Sequence, residues 1–223
     1  MANDVFVARL DASGAFVWAA RGGVPAVAPS FYGAPSRGLG IGLDATGNSY
    51  VAGEIDMAYF GAPATATASF GTLSDTVAQG VNLFVTKVGA GGTFTWLKLW
   101  TASSNIPPQV AIAVDSAGDS YLTGRAGSSP GSKTFPVVGD PRAYVLKLNP
   151  AGVFQWVAAP TLGGPTGWAK VEGQGIALGT SGVSYMAGTI TSSPSGGSAT
   201  FGIKTLTPPP TFFIAKVSSA GTF

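Results

Sequence analysis

FVTKVGAGGTFTW (Phe84 to Trp96) is the stretch on which the fold turns, because the chain writes it four times, the last copy stopping two residues short of its tryptophan. The other copies are FVARLDASGAFVW (Phe6 to Trp18), YVLKLNPAGVFQW (Tyr144 to Trp156) and FIAKVSSAGTF (Phe213 to Phe223). A second pattern alternates with it: IGLDATGNSYVAG (Ile41 to Gly53), IAVDSAGDSYLTG (Ile112 to Gly124) and IALGTSGVSYMAG (Ile176 to Gly188). Repetition at this scale decides architecture before composition does.

Each copy of the first pattern reads as a hairpin. Phe84, Thr86 and Val88 alternate with Val85 and Lys87, the period of two expected of a strand. A four-residue turn ending in glycine follows: 11–14, 89–92, 149–152 and 218–221. Glycine there supplies positive φ for a type I turn with a bulge. The returning strand carries Phe94 and Trp96, read as two apart on one face, as Phe16 with Trp18 and Phe154 with Trp156. The second pattern is also a hairpin, with turns at 44–47, 115–118 and 179–182 and Tyr50, Tyr121 and Tyr185 on the returning strand. Small residues (Gly40, Gly42, Ala111, Ala113, Gly175, Ala177) flank each isoleucine and suit strands crowded around a common axis.

Two hairpins per unit make four antiparallel strands, and tandem units of this size predict propeller blades. The alternative is a strand-rich sandwich, which would not need two hairpin types in strict alternation. The paired motifs resemble the bacterial seven-bladed β-propeller (SBBP-type) repeat family and, more distantly, NHL-type blades. The resemblance covers the chain apart from its long connections. It implies that the isoleucine strand is innermost, that the tryptophan strand is outermost, and that the protein is extracellular or on the bacterial cell surface. Gly179 departs from the pattern, where the other two copies have aspartate.

The expected fold is therefore all-β, with about three and a half blades in a single repeat domain over 1–223. An outer half-blade occupies 1–22, and blades occupy about 39–100, 110–160 and 174–223. Three and a half blades leave open edges, so either this is a piece of a longer propeller or two chains complete a ring as a homo-oligomer.

Composition narrows the function. Only 10% of the 223 residues are charged, against a usual fraction of about a quarter, while 45% are apolar. Glycine (33) and proline (16) exceed a fifth of the chain, which suits short strands and turns. Net charge is +2 with the bases scattered singly, so nucleic acid is not an expected partner. No apolar run is long enough for a membrane span, and the first residues lack the basic start and apolar stretch of a signal peptide. Cysteine and histidine are absent, which removes thiolate and imidazole metal sites and the Ser-His and Cys-His nucleophile pairs. No cofactor is implied. The expected protein is not an enzyme; the distant alternative is a two-carboxylate glycoside hydrolase, for which the chain has eight aspartates and two glutamates, with Glu54 and Glu172 expected at the loop-rich face but 118 residues apart and without a supporting motif.

The long connections, 19–40, 54–83, 97–111, 125–143, 157–175 and 189–212, are expected on one face, where loops on a rigid scaffold place recognition. Aromatics outside the repeat pattern lie in or beside them: Phe31, Tyr32, Tyr59, Phe60, Trp100 and Trp168. Tyr32, Tyr59, Trp100 and Trp168 are the ligand-binding candidates, for a protein partner or, in a lectin-like alternative, for sugar rings. The competing reading makes these aromatics a cover for blade edges. ASFGTL (68–73), ATFGIKTL (199–206) and TFPVV (134–138) read as structural segments that pack Phe70, Phe201 and Phe135 under the loops. Arg9, Lys87, Lys147 and Lys216 share one repeat position and read as stems packed between blades, each with its charge reaching solvent or a carboxylate. Asp11, Asp44 and Asp115 open turns, where aspartate bonds its own backbone; they lack the spacing of a calcium loop.

Overall fold

The computed structural model describes residues 4–25, 33–58, 62–101, 110–126, 142–164, 169–192, 196–207 and 211–223. They form eighteen strands and one turn of 3-10 helix (Thr180–Gly182), an all-β chain. No helix among them is long and apolar enough to cross a membrane.

The repeat hairpins pair as their alternation predicts. β3 (Ser36–Leu43), β4 (Ser49–Met57), β7 (Gly80–Val88) and β8 (Phe94–Thr101) form one antiparallel sheet in that order, sheet II. β9 (Val110–Val114), β10 (Ser120–Ala126), β11 (Arg142–Leu148) and β12 (Phe154–Ala158) form sheet III in the same way. Sheet IV holds β14 (Ala169–Leu178), β15 (Ser184–Ser192) and β18 (Thr211–Val217). Sheet I begins with the first repeat hairpin, β1 (Val5–Leu10) and β2 (Phe16–Gly23).

Sheet I is completed from an unexpected place. β5 (Thr65–Phe70) and β6 (Leu73–Ala78) form a hairpin inserted between β4 and β7, yet β5 pairs with β2 through Gly22↔Phe70 and Gly23↔Ser69. The segment 65–78, inside the stretch assigned to one blade, thus bonds its backbone to the sheet before it. Its side chains stay with sheet II: Phe70 packs on Phe84 at 5.1 Å and edge-on to Phe94 at 5.4 Å. The hairpin is a strap across two sheets. A second strap repeats the device. β16 (Ser198–Phe201) and β17 (Lys204–Leu206) form a hairpin, and β16 pairs with β13 (Thr161–Gly163), just beyond the last strand of sheet III. Phe201 packs on Phe213 at 4.8 Å and on Phe223 at 5.1 Å, in sheet IV. Phe70 and Phe201 are therefore buried, as their segments predicted; Phe135 lies outside the described residues.

The core is laminated between sheets. One cluster, with Val5, Val7, Phe70, Phe84 and Phe94, fills the space between sheets I and II. Another, with Val85, Trp100, Leu122, Tyr144 and Leu146, lies between II and III, and a third, with Val145, Val171, Met186 and Phe213, between III and IV. The small residues beside the isoleucines have a direct cause. Ile112 and Val114 press on the backbone of Gly40 and Gly42, and a Cβ at Gly40 would stand 3.0 Å from Ile112.

One reading of the sequence is corrected. Phe94 and Trp96 do not share a face: Phe94 packs toward sheet I and Trp96 toward sheet III. The cause is a bulge. Val88 pairs with Phe94 and Lys87 with Trp96, so Thr95 is an extra residue that breaks the alternation. The same shift separates Phe16 from Trp18 and Phe154 from Trp156.

Candidate functional site

The hairpin turns gather at one end of the sheets. Within sheet II, Asn48 Oδ1 accepts the Ala90 N–H at 3.2 Å, which ties the inner turn to the outer one. Between sheets, each repeat tryptophan reaches the next outer turn. Trp18 Nε1 donates to the Ala90 carbonyl at 2.9 Å, Trp96 Nε1 to Pro150 at 3.0 Å, and Trp156 Nε1 to Ser219 at 3.1 Å. The acceptor is always the second residue of the turn. Its fourth residue is the glycine, and the indole lies flat on it: a Cβ at Gly152 would stand 2.8 Å from Trp96, and one at Gly221 2.7 Å from Trp156. Positive φ alone would allow asparagine here, whereas the ring contact excludes any side chain. Tyr50 adds a second contact of this kind. It meets Trp96 edge-on at 5.9 Å, and its hydroxyl lies against Gly118 of sheet III. Tyr121 and Trp156 meet at 6.0 Å in the same geometry.

Among the turn aspartates, Asp44 accepts donors on both oxygens. Asp44 Oδ1 accepts the Thr46 N–H (2.9 Å), the Thr46 hydroxyl (2.8 Å) and the Asn48 N–H (3.0 Å). Its Oδ2 accepts Asn48 Nδ2 at 2.7 Å and the Tyr50 hydroxyl at 3.2 Å. Burial opposes ionisation, but those bonds outweigh it and hold the Asp44 carboxyl well below the usual aspartate range. Asp11 and Asp115 accept their own turn backbones in the same manner.

The recurring bases face carboxylates where one is present. Lys147 Nζ lies 2.6 Å from Asp119 and over the Tyr121 ring; Lys87 Nζ lies 3.9 Å from Asp44 and over Tyr50. Burial works against the Lys147 charge, and its contacts with Asp119 and Tyr121 more than offset that, raising its pKa. Arg9 instead donates to the Ala90 carbonyl at 3.3 Å. Arg9, Lys87 and Lys147 are thus each engaged by their own or a neighbouring sheet, and Lys216 is exposed.

The two glutamates lie toward the opposite end, each held by an arginine. Glu54 Oε1 is 2.8 Å from Arg37 across the β3–β4 ladder, and Glu172 Oε1 is 2.9 Å from Arg125 of the neighbouring sheet. Burial pushes the Glu54 carboxyl up, Arg37 pulls it down, and Asp56 adds to the rise; the net shift is upward. Among the described residues no three acidic groups come together.

Of the four aromatic candidates, Trp100 is described. It is buried in β8 at 6% exposure, edge-on to Phe154 at 6.1 Å, in the core between sheets II and III. That placement matches the covering reading of the loop aromatics, not a ligand platform. Tyr32, Tyr59 and Trp168, with Phe31 and Phe60, lie outside the described residues.

Sequence reasoning missed three features. The strap segments read as packing alone, although the T-A-T-A-S-F alternation ahead of Gly71 marks β5 as a strand. Asn82, buried in β7, anchors the strap by donating to the carbonyls of Ala78 (2.7 Å) and Gly80 (3.2 Å), and a lone asparagine carries no such signal. The role of the turn carbonyls as indole acceptors was also unreadable. No family model matches this chain, and comparison with curated proteins returns no match.

Proposed function

We propose that this chain is a non-catalytic β-propeller segment, of the kind its repeats resemble, which acts on the bacterial surface or outside the cell as a scaffold for protein interaction or adhesion. One observation carries the reading. The described repeat turns sit at one end, three of them stitched to the preceding sheet by the Trp18, Trp96 and Trp156 indoles, so the opposite strand ends are where the long connections begin. A stiff end and a loop-bearing end make a display platform. The alternation of two hairpin types, the serial lamination of the sheets and the small residues on the inner strands support a propeller over a sandwich. The glutamate–arginine pairs support structural work for Glu54 and Glu172 over hydrolysis.

Position-specific photo-crosslinking tests this. A photoreactive residue at Ala58, exposed at the loop end, should capture proteins from a bacterial surface extract, and one at Ala45, exposed at the turn end, should not. Equal capture at both positions, or glycan binding without protein capture, would overturn the proposal.

A further inference from the structure

Sheet I ends on β6, and among the described residues no strand pairs with its far side. Gln79 N–H bonds the Ala64 carbonyl at 2.8 Å, which fixes the direction of the ladder. Leu73, Asp75 and Val77 turn their backbone groups toward β5, and Ser74, Thr76 and Ala78 turn theirs outward. Ser74 and Thr76 are exposed, so a row of backbone donors and acceptors faces solvent along this strand. Such a row is a template for another strand.

Two side chains occupy that row. Asp75 Oδ1 accepts the Thr76 N–H at 2.8 Å. Asn82, from β7, acts at Ala78: its Nδ2 donates to the Ala78 carbonyl at 2.7 Å, and its Oδ1 accepts the Ala78 N–H at 3.3 Å. A carboxamide bound this way satisfies both groups, as a residue of a neighbouring strand would. A strand laid along the edge meets a filled position at Thr76 and another at Ala78, which leaves too short a ladder to hold it. The placement of Asp75 fits no packing role. Leu73 and Val77 put their side chains into the core between sheets I and II, and Asp75 stands between them on that same face by the alternation of the strand. Its carboxylate turns out to the edge instead and is exposed. The second strap has the same irregularity: Lys204 lies opposite the buried Phe201 in the β16–β17 pair and is exposed. A charge on the inward side of an edge strand refuses a partner.

We propose that Asp75 and Asn82 are edge caps, which hold the outer edge of sheet I closed against strand addition by a second copy of this chain. A second copy is the strand in question because two β6 edges related by a two-fold axis lie antiparallel and present the same outward residues to each other. The proposal stands apart from the display reading, since β6 offers a lateral edge and neither the loop-bearing end nor the turn end.

The test is sedimentation velocity on the full chain and its variants over a concentration series, with amide exchange followed at Thr76. Asp75→Ala should tighten self-association roughly tenfold or more relative to the parent chain, because it frees one backbone donor on each copy. Asp75→Asn keeps an Oδ1 acceptor and should behave as the parent. Adding Thr76→Pro to Asp75→Ala removes the donor at an outward position, where the ladder to β5 loses nothing, and should return association to the parental level. In dilute Asp75→Ala the Thr76 amide should exchange roughly tenfold faster than in the parent, and slow again as concentration rises. Parental association in Asp75→Ala despite faster exchange at Thr76 overturns the proposal. Association that Thr76→Pro does not reverse overturns it also, because a misfolded strap would behave that way. If Asp75→Asn associates as strongly as Asp75→Ala, charge repulsion alone separates the copies, and the hydrogen-bonded cap is overturned.

Discussion

Trp96 Nε1 donates to the carbonyl of Pro150 at 3.0 Å, across the boundary between two sheets and 54 residues along the chain. This bond and its two repeats turn a row of separate sheets into one body. Trp96→Phe keeps most of the ring and removes the donor, so it should cost about 1 kcal/mol of unfolding free energy. Chemical denaturation checks it; an unchanged midpoint would mean that water replaces the bond without loss.

Gly152→Ala and Gly14→Ala both place a side chain at positive φ, at about 1–2 kcal/mol each. Only Gly152 has an indole where the methyl would go. Gly152→Ala should therefore be clearly more destabilising than Gly14→Ala, and Trp96→Ala should reduce the difference in a double-mutant cycle. Equal costs at both positions would remove the close approach as the reason for glycine.

Asp44 supplies the acid sensitivity. Its folded pKa lies below the ordinary value of 3.8, so its contribution is present above about pH 5 and fades as pH falls through and below 3.8. Asp44→Asn should lower stability near pH 7 and flatten the stability curve between about pH 5 and 2. Thermal melts across that range give the answer, and an equally steep acid limb in the variant would assign the effect elsewhere.

Glu54 has the opposite sign. Its folded pKa is raised above 4.5 by burial, so the penalty for its charge is absent at low pH and grows as pH rises through the folded value. Arg37→Ala should cost about 1–3 kcal/mol at neutral pH, the cost of leaving a buried charged group unpaired, and less below pH 4.5. Adding Glu54→Gln should restore most of it. A double variant as unstable as Arg37→Ala alone would show that the loss comes from arginine packing.

Phe70 ties the strap to sheet II, so Phe70→Ala should cost about 3–5 kcal/mol. It should also release the 65–78 hairpin in hydrogen exchange before the rest of sheet I opens, because β5 joins β2 through only two residue pairs. Uniform loss of protection across the chain would make the strap part of a single cooperative unit.

Much of the fold was legible because hairpins are local objects. The alternation in Phe84–Val88, the glycine four residues into each turn and the Tyr50 series are short-range signals, and they mark strands that the structure pairs as expected. Trp100 shows the limit: its position beside a connection suggested exposure, while burial depended on Phe154 of another sheet.

The sequence by itself determined the strands, their turns, the alternation of two hairpin types and the capacity of that pattern for four-stranded sheets, since each is set within a dozen residues by period and φ. Only the tertiary structure decided that one extra residue in the bulge sends Phe94 and Trp96 to opposite faces, that the 65–78 strap bonds backward to the preceding sheet, and that a turn carbonyl accepts an indole from the neighbouring sheet. Those outcomes depend on which surfaces meet across many tens of residues. No local period encodes that, because the contact energy belongs to the pair of sheets and to neither alone.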